Sequence, residues 1–208
     1  MNNDQFAAAL QDQPAYAILR TDHEQRAAPA MRAAIAGGFR VVEFTMTIPG
    51  ALDRIAEFSR EAGLVVGAGT VLDEAQLHQA VEAGAQFVVS PVVDEAVIKA
   101  AVAMDVAVIP GCQTPSEFLH AHRLGARFQK LFPAPGTGPA FVKACLGPLP
   151  FLNIIPTNGI HENNAASYLK AGAKAVGFTA SLFQAGDIDA ERYDAIQERA
   201  QRLLASLK

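Results

Sequence analysis

The chain has 208 residues, half of them hydrophobic and only 18% charged, which is enough apolar material for one domain with a large buried core. Its net charge of −4, with no basic run and few aromatic residues, excludes a nucleic-acid footprint. No apolar stretch reaches the roughly 20 residues that a membrane-spanning helix needs, and no linker or low-complexity segment divides residues 1–208, which are read as a single domain.

The elements follow in chain order. Met1 to Leu10 lacks both a basic start and a long apolar run, so no secretion signal is expected there. Asn3 to Gln11 instead predicts an extra helix placed to cap one end of the fold. Tyr16 to Arg20 is the first strand. Ala36-Gly37-Gly38 closes a helical stretch ahead of the second strand, Arg40 to Thr45. An amphipathic helix from Ala51 to Ala62 ends at Gly63, before the strand Leu64 to Thr70. The helix Glu74 to Ala83 ends at Gly84, before Phe87 to Ser90. Further strands are predicted at Val106 to Ile109, at Phe128 to Phe132 after Gly125, at Leu152 to Pro156, and at Ala175 to Thr179 after Gly172. The recurring device is a helix closed by glycine in a left-handed conformation, followed by a buried strand. Alternating strands and helices imply a parallel sheet. Eight such units favour a closed (β/α)8 TIM barrel over an open doubly wound sheet.

In a barrel, chemistry gathers at the C-terminal ends of the strands. Side chains alternate along a strand, which places Glu43, Thr45 and Thr47 on one face and Phe128, Lys130 and Phe132 on another. Gly67-Ala68-Gly69-Thr70 ends the third strand, Ser90-Pro91 the fourth and Pro110-Gly111 the fifth. Pro156-Thr157-Asn158-Gly159 ends the seventh and Phe178-Thr179-Ala180-Ser181 the eighth. Glu43 and Lys130 are the strand residues with ordinary acid–base chemistry. Such a pair inside an apolar barrel is either a structural ion pair or a reacting pair. Burial lowers a lysine pKa and frees a nucleophilic amine, which attacks a ketone to form an iminium, while the carboxylate moves protons. The glycine turn before Thr70 lets backbone N–H groups approach a carboxylate, though a plain tight turn reads the same way. Gly159 and the turn after Phe178 stand where barrels bind phosphate.

The five histidines form no metal-binding pattern: His120 and His122 are two apart on a helix, and His23, His78 and His161 fall in loops or on helix surfaces. No metal is expected. Cys112 and Cys145 read as reduced thiols of a cytoplasmic protein, with Cys112 acting as a small apolar residue.

Val42-Glu43-Phe44-Thr45, Gly67-Ala68-Gly69-Thr70-Val71-Leu72, Ser90-Pro91, Ile109-Pro110-Gly111 with Thr114-Pro115-Ser116-Glu117, and Lys130-Leu131-Phe132-Pro133-Ala134 stand in this order along the chain. On these segments the sequence resembles the 2-keto-3-deoxy-6-phosphogluconate (KDPG) and 4-hydroxy-2-oxoglutarate (KHG) aldolase family, from Ala17 to Phe183. The resemblance implies a homotrimeric (β/α)8 barrel without metal or organic cofactor, acting on a small 2-oxo acid. It matches Lys130 to the Schiff-base lysine and Glu43 to the general acid–base. Gly69 and Thr70 match the pyruvate-carboxylate site, Thr157 a threonine facing the aldehyde half, and Phe132 a wall of the pocket. Thr45 and Pro91 belong to matching segments that line the substrate.

Three positions depart from the family pattern. Thr47 stands where an arginine is common, Asn158 precedes Gly159 in place of a Gly-Gly pair, and Thr179-Ala180 replaces Gly-Ser. These changes remove a charge-assisted contact, add a Cβ and remove a hydroxyl where phosphate is held. Arg20, at the end of the first strand, is the nearest remaining cation. The leading expectation is a KDPG aldolase. The alternative is a 4-hydroxy-2-oxoglutarate aldolase or oxaloacetate decarboxylase with weak use of phosphorylated substrate. A barrel that only binds an anion would not need the Lys130–Glu43 pair, and an isomerase or epimerase would need a second carboxylate or a histidine base.

Overall fold

The computed structural model describes residues 1–207. The first half of the chain runs α1 (Asn3–Asp12), β1 (Ala15–Leu19), α2 (Glu24–Ala36), β2 (Val41–Thr45), α3 (Ala51–Phe58), β3 (Val65–Gly69), α4 (Glu74–Glu82), β4 (Phe87–Val89) and α5 (Glu95–Ala103). It continues through β5 (Ala107–Ile109), β6 (Gly111–Cys112), α6 (Pro115–Arg123), β7 (Gln129–Leu131), α7 (Pro139–Leu146), β8 (Ile154–Pro156), α8 (Ala165–Lys170), β9 (Val176–Phe178), α9 (Ala185–Asp189) and α10 (Tyr193–Ala205). Strand positions follow the expectation: β1 is shifted back by one residue, and the other expected strands are shorter by one or two residues because pairing stops before the apolar run does.

All the strands pair in parallel, in a six-stranded sheet of order β5-β4-β3-β2-β1-β9 and a three-stranded sheet of order β6-β7-β8. This differs from the single eight-stranded barrel expected from the sequence. Pro110 has no N–H to donate and interrupts the fifth run, leaving β5 in one sheet and β6 in the other. At the opposite edge the two sheets meet through an isolated parallel bridge between Thr157 and Gly177. The strands β1 to β5 lie side by side in chain order, without the mid-sheet reversal of a doubly wound fold.

The period-two alternation of the strands produces two apolar layers. Outward-facing residues such as Val42, Phe44, Val66 and Val88 pack beneath the helices, against Ile55, Phe58 and Leu77. Inward-facing residues form a second cluster that includes Tyr16, Ile18, Phe87, Val89, Phe128 and Ile155. Phe6 and Leu10 of α1 join this inner cluster. The Phe6 ring lies tilted on Phe87 at 4.7 Å and meets Phe128 edge-on at 5.2 Å. The extra N-terminal helix therefore caps the floor of the strand interior. Its start is fixed by a capping box, in which Asn2 Oδ1 accepts from the Gln5 backbone N–H while Gln5 Oε1 accepts from that of Asn2.

Glycine closes several helices as the sequence implies, but α3 ends at Phe58 with Ser59 as its cap, short of the Ala62 end expected before Gly63. After α4, Gly84 (φ +102°) donates to Val81 and lets Ala85 donate to Ala80. After α5 no glycine is available, and Asp105 takes the same left-handed turn at φ 54°, donating to Val102. Asp tolerates this conformation better than most residues, which is why the turn survives without the signal that marked the others.

Phe6 is fully buried on two aromatic rings, so Phe6→Ala should lower unfolding free energy by about 3–5 kcal/mol. Denaturant unfolding at equilibrium measures this.

Candidate active site

Glu43 sits in the middle of β2, paired in register with Ile18 on one side and Gly67 on the other. Lys130 holds the matching place in β7, between Gly111 and Ile155. Both side chains are buried, Glu43 with 1% and Lys130 with 6% of its surface exposed. Neither Glu43 oxygen has a hydrogen-bonding partner among the described residues, so the two groups are not joined as a structural ion pair. The Lys130 ammonium instead lies 4.8 Å from the centre of the Phe132 ring.

The electrostatics follow from this burial. Loss of solvent pushes the Glu43 carboxyl above its ordinary pKa, against the opposing pull of Lys130 and then Arg20. Loss of solvent likewise pushes the Lys130 ammonium below its ordinary value; Glu43 opposes that shift and Arg20 adds to it. A depressed lysine beside a raised carboxyl is an arrangement poised for nucleophilic attack and proton transfer.

The glycine turn after β3 shapes the space around Glu43. Gly69 is in register with Thr45, and a Cβ on it would strike the Glu43 carboxylate, 2.6 Å from Cδ. Thr70 follows at φ 59°, an outlier for a β-branched residue. Such strain persists only where the surroundings enforce it, and here the Thr70 hydroxyl accepts a hydrogen bond from Arg20 Nη2 at 3.2 Å.

A cavity of about 360 Å³ opens over these groups. Ile18 and Arg20 enter from β1 and its end, and Lys130 and Phe132 from β7 and its end. Thr157 and Asn158 come from the end of β8, and Thr179 and Ala180 from the end of β9. Of the residues singled out in the sequence, Glu43 lies buried among the strands rather than in the cavity wall. Gly69, Thr70 and Gly159 also lie outside the wall, although Thr70 reaches Arg20. Thr47 is exposed in the turn beyond β2, with its hydroxyl 2.8 Å from that of buried Thr45, so neither enters the wall. Pro91 packs its carbonyl against Gly111. Three wall residues were missed: Ile18, Phe183 and Ala185. Ile18 was legible two residues before Arg20 on the same strand face, whereas Phe183 and Ala185 follow the last strand, where no periodicity marks them.

Other segments noted in the sequence have structural roles. Thr114 and Glu117 form a capping box at the start of α6, and Glu117 Oε2 accepts from the backbone N–H groups of Thr114 and Gln113 at 2.8 and 2.9 Å. Cys112 lies in β6 rather than in a loop and is buried as a small apolar side chain. No cluster of three metal-binding side chains occurs among the described residues.

The family model for KDPG and KHG aldolase matches residues 7–199. The chain belongs to that family. It is a carbon–carbon lyase, and its similarity to known members spans most of its length. It is 34% identical to the KHG/KDPG aldolase of Escherichia coli strain K12 over 197 residues, 94% of this chain and 91% of the other. The crystal structure of 2-keto-3-deoxy-6-phosphogluconate aldolase from Zymomonas mobilis ATCC 29191 superposes with a TM-score of 0.83 at 32% identity, covering 99% of this chain and 97% of that one. The Legionella pneumophila KDPG aldolase, solved with pyruvate captured as a covalent carbinolamine, superposes at 0.84 with 28% identity, over 94% of this chain and 96% of that one.

In this aldolase, Glu43 and Arg20 act on Lys130 with opposite signs. Glu43→Gln should therefore lower the Lys130 pKa further, and Arg20→Met should raise it. The pH dependence of Lys130 acylation, read by mass spectrometry, should shift its midpoint down for the first variant and up for the second.

Proposed function

We propose that the protein is a class I aldolase that reversibly cleaves a 2-oxo acid to pyruvate and an aldehyde through a Schiff base on Lys130. The observation that carries this reading is a buried lysine with depressed basicity, in the wall of a cavity and beside a buried carboxylate it is not bonded to.

In the first step the neutral Lys130 amine attacks the C2 ketone, and the new oxygen takes a proton to give a carbinolamine. Glu43 in its acid form donates a second proton, water leaves, and an iminium remains. The iminium then accepts the electrons of the breaking C3–C4 bond while the Glu43 carboxylate takes the proton of the C4 hydroxyl. Aldehyde departs, leaving the enamine of pyruvate. Protonation at C3 and hydrolysis return free lysine. No metal or organic cofactor is required by this sequence.

Arg20 and the strained Thr70 are placed to hold the substrate carboxylate, with Gly69 allowing the close approach. Thr157, whose hydroxyl is buried without a partner, faces the aldehyde half, and Phe132 forms a wall. The loop residues Asn158, Gly159, Thr179 and Ala180 stand at the distal, phosphate end.

The leading substrate is 2-keto-3-deoxy-6-phosphogluconate, which yields glyceraldehyde 3-phosphate. One observation favours a second reading: Thr47 is engaged with Thr45, and the residues at the distal end are uncharged. 4-Hydroxy-2-oxoglutarate suits such a site, as does oxaloacetate, whose decarboxylation leaves the same enamine.

The wider reading is one cytoplasmic domain forming a (β/α)8 barrel that assembles as a homotrimer. Continuity of the chain through Pro110 supports counting β5 and β6 as one barrel strand, and the Thr157–Gly177 bridge supports closure. Two free, buried cysteines agree with a reducing compartment. The trimer rests on family resemblance.

Incubation with pyruvate and borohydride should leave a stable adduct on Lys130, found by peptide mass spectrometry; an unmodified Lys130 would overturn the class I mechanism. For the substrate, kcat/KM should be compared on one preparation for the phosphorylated sugar acid, 4-hydroxy-2-oxoglutarate and oxaloacetate. If the distal end is depleted of phosphate contacts, Thr47→Arg combined with Ala180→Ser raises kcat/KM for the phosphorylated acid by about tenfold and leaves the others unchanged.

A further inference from the structure

The wall of the cavity between Thr179 and Asp187 is irregular chain for most of its length, yet it supplies Thr179, Ala180, Phe183 and Ala185 to the lining. Behind it lies a second cavity of about 410 Å³, which Ser181, Gln184 and Arg199 help to line. The segment thus borders open space on both sides, although Leu182 and Phe183 are anchored in the apolar core.

Beside that packing, a polar clamp from the C-terminal helix holds it. Arg199 of α10 donates from Nη1 to the Leu182 carbonyl at 2.8 Å and from Nη2 to Asp187 Oδ2 at 2.6 Å. Arg192 closes the other carboxylate oxygen, with Nε 2.8 Å and Nη2 2.7 Å from Asp187 Oδ1. Asp187 is 4% exposed, and hydrogen bonding first to Arg199 and then to Arg192 holds its carboxyl below the ordinary pKa. The Arg199 side chain is itself only 13% exposed. Charge-assisted bonds of this kind, between planar groups in partly buried surroundings, fix geometry as well as adding energy. The two bonds from Arg199 grip the segment immediately before and a few residues after Phe183, which bears on the cavity.

We infer that Arg199, acting through Leu182 and Asp187, is a positioning residue for the aldehyde-binding wall of the active site. The inference rests on the Schiff-base reading above, since that reading assigns the pyruvyl half to Lys130, Glu43 and the Arg20–Thr70 end. The pyruvyl half is held by strands β1, β2, β3 and β7 and their ends, which the clamp does not touch. Loss of the clamp therefore loosens binding of the aldehyde and leaves enamine formation alone.

The two halves are separable in one preparation. Pyruvate in D2O exchanges its C3 hydrogens through the iminium and enamine without any aldehyde, and NMR follows this. Condensation of pyruvate with glyceraldehyde 3-phosphate or glyoxylate adds the aldehyde step. Arg199→Met should raise the aldehyde KM in condensation about tenfold, with pyruvate exchange within about twofold of the parent. Arg199→Lys, which keeps one contact, should fall between. Asp187→Asn attacks the clamp from its other side and guards against a variant that fails to fold.

An aldehyde KM unchanged in the folded variants overturns the inference. So does an equal loss of exchange and condensation, which would make Arg199 a general structural support. Absence of exchange in the unaltered protein would overturn the Schiff-base reading itself, and this inference with it.

Discussion

The structure is organised around one constraint: a carboxylate and an amine are kept in an apolar interior without bonding to each other. Burying either charge costs several kcal/mol, and a direct ion pair would recover part of that cost. Here Glu43 has no partner for either oxygen, and the lysine rests on the Phe132 ring. The pair is therefore not a hydrogen-bonded ion pair, although each charge still favours the other. It is held by the sheets around it, and both groups respond to desolvation by shifting toward their neutral forms. Strain at Thr70 is a second local cost at the same end of the strands.

The rest of the interior offsets these costs by a vertical division of labour. The floor is built of large rings, with Tyr16, Phe87 and Phe128 from the strands and Phe6 from the capping helix. Nearer the candidate site, two glycines make space. Gly69 leaves room for the Glu43 carboxylate. Gly177 leaves room for Thr157 and Ile18, whose side-chain carbons would lie 2.6 and 2.8 Å from an added Cβ. Dense apolar packing below thus supports an open, polar layer above, and the helix at the floor is part of that support rather than an appendage.

Much of this was legible in the sequence because it is periodic. Glycine after most amphipathic stretches marked the helix ends, and two charges within apolar strands marked Glu43 and Lys130. The sequence reading went astray where periodicity stopped or was extended too far. Continuing the alternation of β2 to Thr47 placed that residue with Glu43, but the strand ends at Thr45 and the chain turns. The division into two sheets has two breaks, one at Pro110, which lacks an N–H, and one between β8 and β9, where a single bridge replaces a ladder; hydrophobic pattern registers neither. Phe183 reaches the cavity from irregular chain and Ala185 as the first residue of α9, in a segment tied to α10 by the Arg199–Leu182 bond across 17 residues, which no local rule shows.

These failures share a physical cause that separates reaction class from substrate choice. The proposed reacting pair, Glu43 and Lys130, stands on strands, whose register is pinned by hydrogen bonds on both sides and by the alternation of faces. The distal wall stands on loops after β8 and β9, whose backbone is free to change without disturbing any strand pairing. A chain can therefore alter Asn158, Thr179 or Ala180 and keep intact the chemistry proposed for Lys130. The price of that freedom is precision, because a wall made of loop needs an outside anchor to hold a ligand within reach of a reacting carbon. The Asp187–Arg192–Arg199 cluster has the burial and geometry of such an anchor, and it sits on the one part of the site that the sheets do not support.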